Sequence, residues 1–190
     1  HRYSYYFAPV NPNIRVVEAD QVDTLNVYNS NSPANDVGTL TENRLYGLGM
    51  GPDTVIGHRE VQGGITYLNI ETINITLGSG NDQLTIESTH LGSTTIRSGA
   101  GIDVIDVKTI AGHTTIDTGA GADIVNVGSD LVIVDQIVGL LTINGSTGDD
   151  VVNVHDTGDT NDNTGTLTGN TLTGLDMPNA GEVETIFVQA

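Results

Sequence analysis

One short pattern recurs along the chain, each time around an aspartate, and it constrains the fold more than any other feature. The six aspartates are Asp23, Asp53, Asp82, Asp103, Asp123 and Asp150. In most copies glycines stand two and four residues before the aspartate, and apolar residues stand two and four residues after it. Alternate apolar residues make a strand with one buried face, and Gly-x-Gly permits a sharp turn. Each unit therefore predicts strand, glycine turn, strand and loop, and it must stack on a neighbour to bury its apolar face.

The spacing of the pattern predicts how the units stack. The interval between successive aspartates is shortest from Asp82 to Asp103 and from Asp103 to Asp123, and it is longer elsewhere. The two shortest intervals fit a minimal coil, and the longer ones predict loop insertions on one side of the stack. The sequence therefore predicts an all-β fold, a parallel β-helix or β-roll solenoid with glycine-aspartate turns. We expect residues 1–190 to form one continuous solenoid segment.

A longer repeat lies on top of the short one. Residues 23–50 align with residues 150–177 without a gap, so that the pattern around Asp23 starts again at Asp150. The chain thus holds one tandem unit, residues 23–149, and the start of the next, residues 150–190. An array interrupted within a unit predicts a longer parent protein.

Three of the turns also resemble a known family. Residues 78–84, 99–105 and 119–125 carry G-x-G-x-D followed by an apolar residue, and this pattern resembles the nonapeptide of the repeats-in-toxin family, the haemolysin-type calcium-binding repeats. The resemblance implies a β-roll that binds Ca²⁺ between stacked turns through the aspartates and turn carbonyls. The ligand residues it implies are Asp82, Asp103, Asp123, Asp53 and Asp150, with Gly80, Gly101 and Gly121 in the turns. Here the pattern occurs once per coil rather than every nine residues, so one row of sites is the most it allows.

Electrostatics gives an independent reason to expect a cation. Stacked strands lie about 4.8 Å apart, so equivalent aspartates form a column at about that spacing. Like charges about 4 Å apart repel by about 1 kcal/mol in water and by about 4 kcal/mol at an effective dielectric constant of 20. Ca²⁺ binds carboxylate and carbonyl oxygens in flexible geometry and would relieve this repulsion. The alternative is that each aspartate accepts hydrogen bonds from the amides of a neighbouring turn.

Charge and composition limit which partners the protein can bind. Six Lys and Arg against 24 Asp and Glu give a formal net charge of −18, which argues against nucleic acid and anionic lipid as partners. The chain has no cysteine, and it lacks the run of about 20 apolar residues that membrane insertion requires. Two polar runs, residues 29–38 and 156–165, predict exposed loops whose acidity could add an irregular cation site.

The repeated polar residues favour a structural role over catalysis, which needs groups set apart from their copies. We therefore expect that the protein is not an enzyme. We expect a calcium-stabilised extracellular or cell-surface scaffold, such as a rod, an adhesin stalk or a filament subunit. Its expected partners are Ca²⁺, neighbouring repeats or identical subunits end to end, and surface glycan. An adhesive module for glycan or ice is the alternative, based on Thr95, Thr115 and Thr142 in one column. A polysaccharide lyase or hydrolase, with Arg97 as its basic residue, is less favoured.

Overall fold

The computed structural model describes residues 21–178 and 181–186, so the first and last residues of the expected segment 1–190 lie outside the described residues. The described residues form β-strands, turns and loops without a helix, and stacked parallel strands make a β-solenoid of about three turns. The predicted fold class is therefore confirmed. No helix in this part of the chain is long and apolar enough to cross a membrane. The strands are β1 (Thr24–Tyr28), β2 (Val37–Leu40), β3 (Arg44–Gly47), β4 (Thr54–Ile56), β5 (Arg59–Val61), β6 (Ile65–Thr66), β7 (Thr72–Thr76), β8 (Gln83–Ile86), β9 (Ser93–Arg97), β10 (Val104–Val107), β11 (Thr114–Asp117), β12 (Ile124–Val127), β13 (Leu140–Asn144), β14 (Val151–Val154), β15 (Gly165–Leu167), β16 (Thr171–Gly174) and β17 (Glu182–Ile186).

Two long sheets face each other across the core. Sheet 1 has the order β1-β7-β9-β11-β13-β17-β16-β15, and sheet 2 has the order β14-β12-β10-β8-β2-β3-β6. Their central strands are parallel and in register, so Ile116 pairs with Ile96 in sheet 1 and Ile105 pairs with Val125 in sheet 2. Each central coil contributes one strand to each sheet. Among the described strands, the antiparallel hairpins β2–β3, β4–β5 and β15–β16 interrupt this pattern.

The core is a stack of aliphatic side chains from both sheets. The fully buried ones include Ile73, Ile75, Ile96 and Ile116 from sheet 1 and Leu84, Ile86, Ile105 and Val107 from sheet 2. Because side chains alternate along each strand, the residues between these core positions face outward, and some of them form ladders between coils. Asn126 donates through Nδ2 to Asp106 Oδ1 (2.8 Å), and Asn153 donates in turn to Asn126 Oδ1 (2.9 Å). Main-chain bonds, packing and outer side-chain bonds thus act together on the coils of sheet 2.

The two aligned segments do not occupy equivalent places. Strand β1 lies in sheet 1 beside β7, whereas its sequence counterpart β14 lies in sheet 2 beside β12. The hairpin β2–β3 continues sheet 2, whereas its counterpart β15–β16 continues sheet 1. Similar sequences therefore make different contacts at the two ends of the described solenoid.

Candidate metal site

The predicted aspartate column exists as a hydrogen-bonded ladder inside the solenoid. The backbone N–H of Asp82 donates to Oδ1 of Asp103 (2.7 Å), and that of Asp103 donates to Oδ1 of Asp123 (2.8 Å). The ladder begins at the N–H of Asp36, which donates to Asp82 Oδ1 (2.8 Å). It ends at Asp150, whose Oδ1 accepts from the N–H of Asp123 (3.0 Å). One oxygen of each carboxylate from Asp82 onward therefore has a backbone donor, as the hydrogen-bond alternative predicts.

The other carboxylate oxygens in the ladder are less well satisfied. Asp82, Asp103 and Asp123 are buried, and Oδ2 of Asp103 and of Asp123 has no hydrogen-bond partner. Burial raises the pKa of Asp103 above its ordinary value. Burial, together with the charges of Asp103 and Asp150, raises the pKa of Asp123 to about 6. The middle of the ladder therefore holds protons more tightly than free aspartate does.

The turn glycines are required by the close approach of successive coils. A Cβ atom on Gly101 would lie 2.2 Å from the carbonyl oxygen of Gly80, and one on Gly121 would lie 1.6 Å from that of Gly101. Gly101 and Gly121 also have positive φ angles of 133° and 149°. Packing and backbone conformation account for these glycines. A metal-binding role for Gly80, Gly101 and Gly121, and for the ladder aspartates, stays a prediction.

Two of the six repeat aspartates lie outside the ladder. Asp53 is exposed at the base of the β4–β5 hairpin, where it pairs with Arg44 and accepts a bond from Gly63 N–H (2.8 Å). The hydrogen bond from Arg44 lowers the pKa of Asp53 below its ordinary value. Asp23 is exposed just before β1, and its N–H donates to Oε2 of Glu71 (2.8 Å). Asp36, outside the repeat pattern, occupies the end of the ladder instead.

A second group of aspartates, the loop cluster, converges at the edge of the solenoid. Carboxylate oxygens of Asp135, Asp156 and Asp159 all lie within 4.8 Å of one another, and no other set of three acidic or histidine side chains in the described residues does so. Asp135 comes from the loop after β12, and the other two come from the loop after β14. These strands are paired so that Val127 lies beside Val154. The two loops therefore leave the stack at the same place, one coil apart.

Hydrogen bonds fix part of this cluster. Asn163 donates through Nδ2 to Oδ2 of Asp156 (2.9 Å) and to Oδ2 of Asp159 (3.0 Å). Oδ1 of Asp156 accepts from Val134 N–H (3.3 Å), which links the two loops directly. Oδ1 of Asp135 and Oδ1 of Asn163 are buried and have no hydrogen-bond partner. Four side chains with oxygen atoms thus meet at one place, and two of those oxygens lack a donor.

The charges of the cluster are not balanced by basic side chains. The ion pairs among the described residues are Arg44 with Asp53 and Lys108 with Glu87 and Asp130, and none involves the cluster. Burial raises the pKa of Asp135, and the charges of Asp159, Asp176 and Asp156 raise it further. Hydrogen bonds from Asn161 and Asn163 lower the pKa of Asp159. A bound cation would counter the repulsion that Asp135 experiences.

The sequence indicated three of the four side chains of this cluster. The polar run 156–165 predicts an acidic loop with an irregular cation site, and it holds Asp156, Asp159 and Asn163. Asp135 was missed because it stands alone among apolar residues and matches no repeat column. The available signal was the insertion between Asp123 and Asp150, which leaves the stack after Val127 just as the acidic loop leaves it after Val154.

The aligned loop in the first unit is built differently. In the alignment of residues 23–50 with residues 150–177, Asn29, Ser32 and Asp36 correspond to Asp156, Asp159 and Asn163. Asp36 Oδ2 accepts from Asn29 Nδ2 (2.8 Å) and from Ser32 Oγ (2.8 Å). This loop therefore holds one carboxylate with two donors, where the second loop holds two carboxylates that share one amide.

Comparison with known proteins adds no relative to this description. No family model, no curated protein and no solved structure matches the chain. The likeness to the repeats-in-toxin nonapeptide therefore stays a resemblance of sequence pattern.

Proposed function

We propose that this chain is a calcium-stabilised segment of a β-solenoid scaffold that works outside the cell or at its surface. The observation that carries the proposal is the convergence of Asp135, Asp156 and Asp159 around one place, with Asn163 beside them. Ca²⁺ is the cation that suits this set, because it prefers carboxylate and amide oxygens and tolerates irregular geometry. The role is structural rather than catalytic, since the residues with unusual environments hold loops and coils together.

The cluster would hold the cation through its carboxylates and the amide of Asn163. Without a cation, the Nδ2 group of Asn163 faces two carboxylates. A rotation of this amide by about 180° exchanges its nitrogen and oxygen, which are nearly isosteric, and would present Oδ1 to the cation. Ca²⁺ takes roughly six to eight oxygens, so backbone carbonyls and water would complete its shell.

Such a cation would join two successive coils. Asp135 belongs to the loop after β12, whereas Asp156 and Asp159 belong to the loop after β14. These loops are already linked by the bond from Gly158 N–H to Val132 O (2.9 Å). Because a ligand that binds only the folded state stabilises it by mass action, Ca²⁺ would resist separation of these coils. A rod built from such coils would be stiffer where calcium is abundant, as it is outside cells.

The proposal is tested by adding Ca²⁺ to the chain after divalent ions have been removed with a chelator. Isothermal titration calorimetry and thermal unfolding with and without Ca²⁺ are the measurements. We expect Ca²⁺ to bind and raise the unfolding temperature, and we expect Asp135→Asn to weaken binding by at least about tenfold, since it removes a charged ligand. The matched control is Asp36→Asn, which changes one carboxylate of the aligned loop and should leave calcium affinity unchanged.

Two results would oppose the proposal. If the chelated wild-type chain shows no heat of calcium binding and no shift in unfolding temperature, the chain is not calcium-stabilised. If Ca²⁺ binds equally well to Asp135→Asn but not to Asp103→Asn, the ladder rather than the loop cluster is the calcium site. The second result would favour the mode of binding implied by the repeats-in-toxin resemblance.

Adhesive binding to glycan or ice is a second candidate, and one observation favours it. Thr95, Thr115 and Thr142 are paired in register on sheet 1. Thr95 and Thr115 are half-buried, whereas Thr142 is buried and its hydroxyl lies 3.3 Å from His113 Nε2. The row continues as Asn74 and Asn26, so hydroxyl groups cover only part of the sheet. Glycan-array binding and thermal hysteresis of the wild type and Thr115→Lys test this candidate, which requires a signal that the lysine abolishes.

A further inference from the structure

The chain contains the same hairpin twice. Residues 37–50 and 164–177 share nine of fourteen residues, namely Gly, Thr, Leu, Thr, Asn, Leu, Gly, Leu and Met in that order. The first segment forms β2–β3 and the second forms β15–β16. In both, a residue just after the second strand donates back to the start of the hairpin: Leu48 N–H to Val37 O (2.7 Å) and Leu175 N–H to Thr164 O (3.0 Å).

The backbone of the two hairpins is also alike. Gly47 and Gly174 have φ angles of 83° and 85°, and the leucines that follow them have φ angles of 50° and 52°. A Cβ atom on Gly47 would lie 2.3 Å from the oxygen of Val37, and one on Gly174 would lie 2.2 Å from the oxygen of Thr164. The hairpin is therefore a unit of defined shape, and its two copies are interchangeable in geometry.

The outer edge of the first hairpin is covered by a coil of the solenoid. Strand β2 pairs in parallel with β8, with Gly38 beside Leu84 and Leu40 beside Ile86. A Cβ atom on Gly38 would lie 2.6 Å from Cδ2 of Leu48 and 3.3 Å from Cδ1 of Leu84, so the glycine makes room for the hairpin's own leucine and also for the β8 side chain. Leu40 is fully buried in this arrangement. Backbone pairing and an apolar contact together hold the hairpin on β8.

The same edge of the second hairpin has no partner strand within the described residues, where β15 pairs with β16 alone. Leu167, the counterpart of Leu40, is 78% exposed, whereas Leu40 is 0% exposed. Beside Leu167 an open cavity is lined by Val152 and Val154 of β14, Leu172 of β16 and Val183 of β17. An apolar surface and a free strand edge therefore lie next to each other.

We infer that the β15 edge is a docking site for a further coil of this same repeat, a glycine-aspartate turn followed by a strand of the β8 type. The first hairpin already shows such a coil in place on the same sequence, in a defined register. In that register Thr166 would lie beside the equivalent of Thr85, as Thr39 does in the first hairpin. The inference rests on the duplicated hairpin and is independent of calcium.

The repeat indicates how to supply that coil. Residues 71–73 recur as residues 184–186, so Ala190 aligns with Leu77 and the repeat continues in register with residue 78. The test compares the full chain with the same chain extended after Ala190 by a second copy of residues 78–149. Because the protein has no cysteine, Leu167→Cys gives one thiol whose rate of alkylation reports exposure. We expect the extension to slow alkylation at least about tenfold, as burial against a stable coil requires opening for reaction.

Two controls make the result decisive. Leu91→Cys, at a residue that is 88% exposed and outside the hairpin, should be alkylated equally fast in both chains. In the extended chain, Thr166→Cys should form a disulfide with a cysteine at the second copy of Thr85, and not with one at the second copy of Thr95, because β9 does not pair with the first hairpin. Circular dichroism of both chains checks that the added residues form strands.

The inference fails if Leu167→Cys reacts as fast in the extended chain as in the original one, or if the Thr166–Thr85 disulfide does not form. A third result would also overturn it: protection of Leu167→Cys in the original chain that increases with protein concentration. That outcome would assign the edge to a second copy of the chain.

Discussion

The protein contains two groups of aspartates that differ in what each carboxylate faces. In the ladder, Asp82, Asp103 and Asp123 lie one above another, and a backbone amide separates each pair. In the loop cluster, Asp135 and Asp156 face each other and Asp159 directly. In the ladder a backbone amide lies between successive carboxylates, whereas in the cluster three carboxylates converge within 4.8 Å of one another, although Asp156 and Asp159 each have donors. The number of acidic residues therefore does not identify a cation site; the convergence of their carboxylates does.

The largest expected effect comes from making the acidic loop resemble its counterpart. The triple substitution Asp156→Asn, Asp159→Ser and Asn163→Asp copies the side chains of Asn29, Ser32 and Asp36. At calcium about 1,000 times the wild-type Kd, binding stabilises the wild type by about 4 kcal/mol. We expect the triple variant to lose this gain, because the loop then holds one carboxylate in place of two.

Thermal or denaturant unfolding at matched free calcium measures this loss. If the variant keeps the wild-type increase in stability with calcium, the two loops are equivalent in this respect. The contrast between cluster and ladder would then not explain calcium binding.

The second effect concerns protons and belongs to the ladder. The pKa of Asp123 is about 6 in the folded protein, against an ordinary value of 3.8. Between these values the folded state binds more protons than the unfolded state, so the free energy of unfolding falls as pH rises from about 4 to about 6, by roughly 3 kcal/mol. Asp123→Asn should remove the contribution of Asp123 and leave those of Asp103 and Asp135, whose pKa values are also raised.

Urea unfolding in chelator across this pH range is the measurement. When Ca²⁺ is present, the stability that calcium adds through the cluster should instead rise with pH, because the raised pKa of Asp135 means that calcium and protons compete for it. An Asp123→Asn variant with the wild-type pH profile would contradict the assignment of this effect to the ladder.

The third effect separates hydrogen bonding from charge within the ladder. Asp103→Ala leaves the buried N–H of Asp82 without its acceptor, which costs about 1–3 kcal/mol. Asp103→Asn keeps an oxygen for that amide and removes a buried charge, so it should cost less than half as much at pH 7. Denaturant unfolding measures both variants. If they lose the same free energy of unfolding, the charge of Asp103 itself matters, and this result would favour the ladder as a cation site.

The smallest effect lies in the aligned loop. Asp36→Ala removes the acceptor of Asn29 and Ser32 in a partly exposed position. We expect a loss of about 1 kcal/mol, the same in calcium and in chelator. A loss confined to calcium-containing buffer would indicate that this loop, too, takes part in binding the cation.

Much of the fold follows from the sequence because each repeat column has its own physical cause. Glycines are needed where coils approach closely, and alternate apolar residues are needed where strands face the core. The motif at residues 49–55 fits these columns as well as the others, yet it leads into the β4–β5 hairpin and Asp53 pairs with Arg44. Local pattern alone does not distinguish a coil turn from a hairpin of similar composition. The ladder position that Asp53 was aligned with is taken by Asp36, from a loop without the glycines.

The loop cluster was harder to predict for a different reason. Asp135 and Asp156 are brought together by two insertions that leave the stack at paired strand ends. Their contact depends on how the loops fold over the edge, and no repeated residue records that path. Periodicity therefore predicts the frame well, whereas contacts between insertions require the three-dimensional arrangement of the coils.

The ladder has a direction, and this sets how the molecule can change in length over evolution. Each interior aspartate gives its amide to the following coil and receives an amide from the preceding one, so every interior coil has the same two connections. Loss of one whole coil, from Asp103 to the residue before Asp123, would leave the amide of Asp82 facing an equivalent carboxylate. Loss of a few residues would instead misplace every later turn. Lineages carrying this fold should therefore differ by whole coils, and their insertions should collect in the loops.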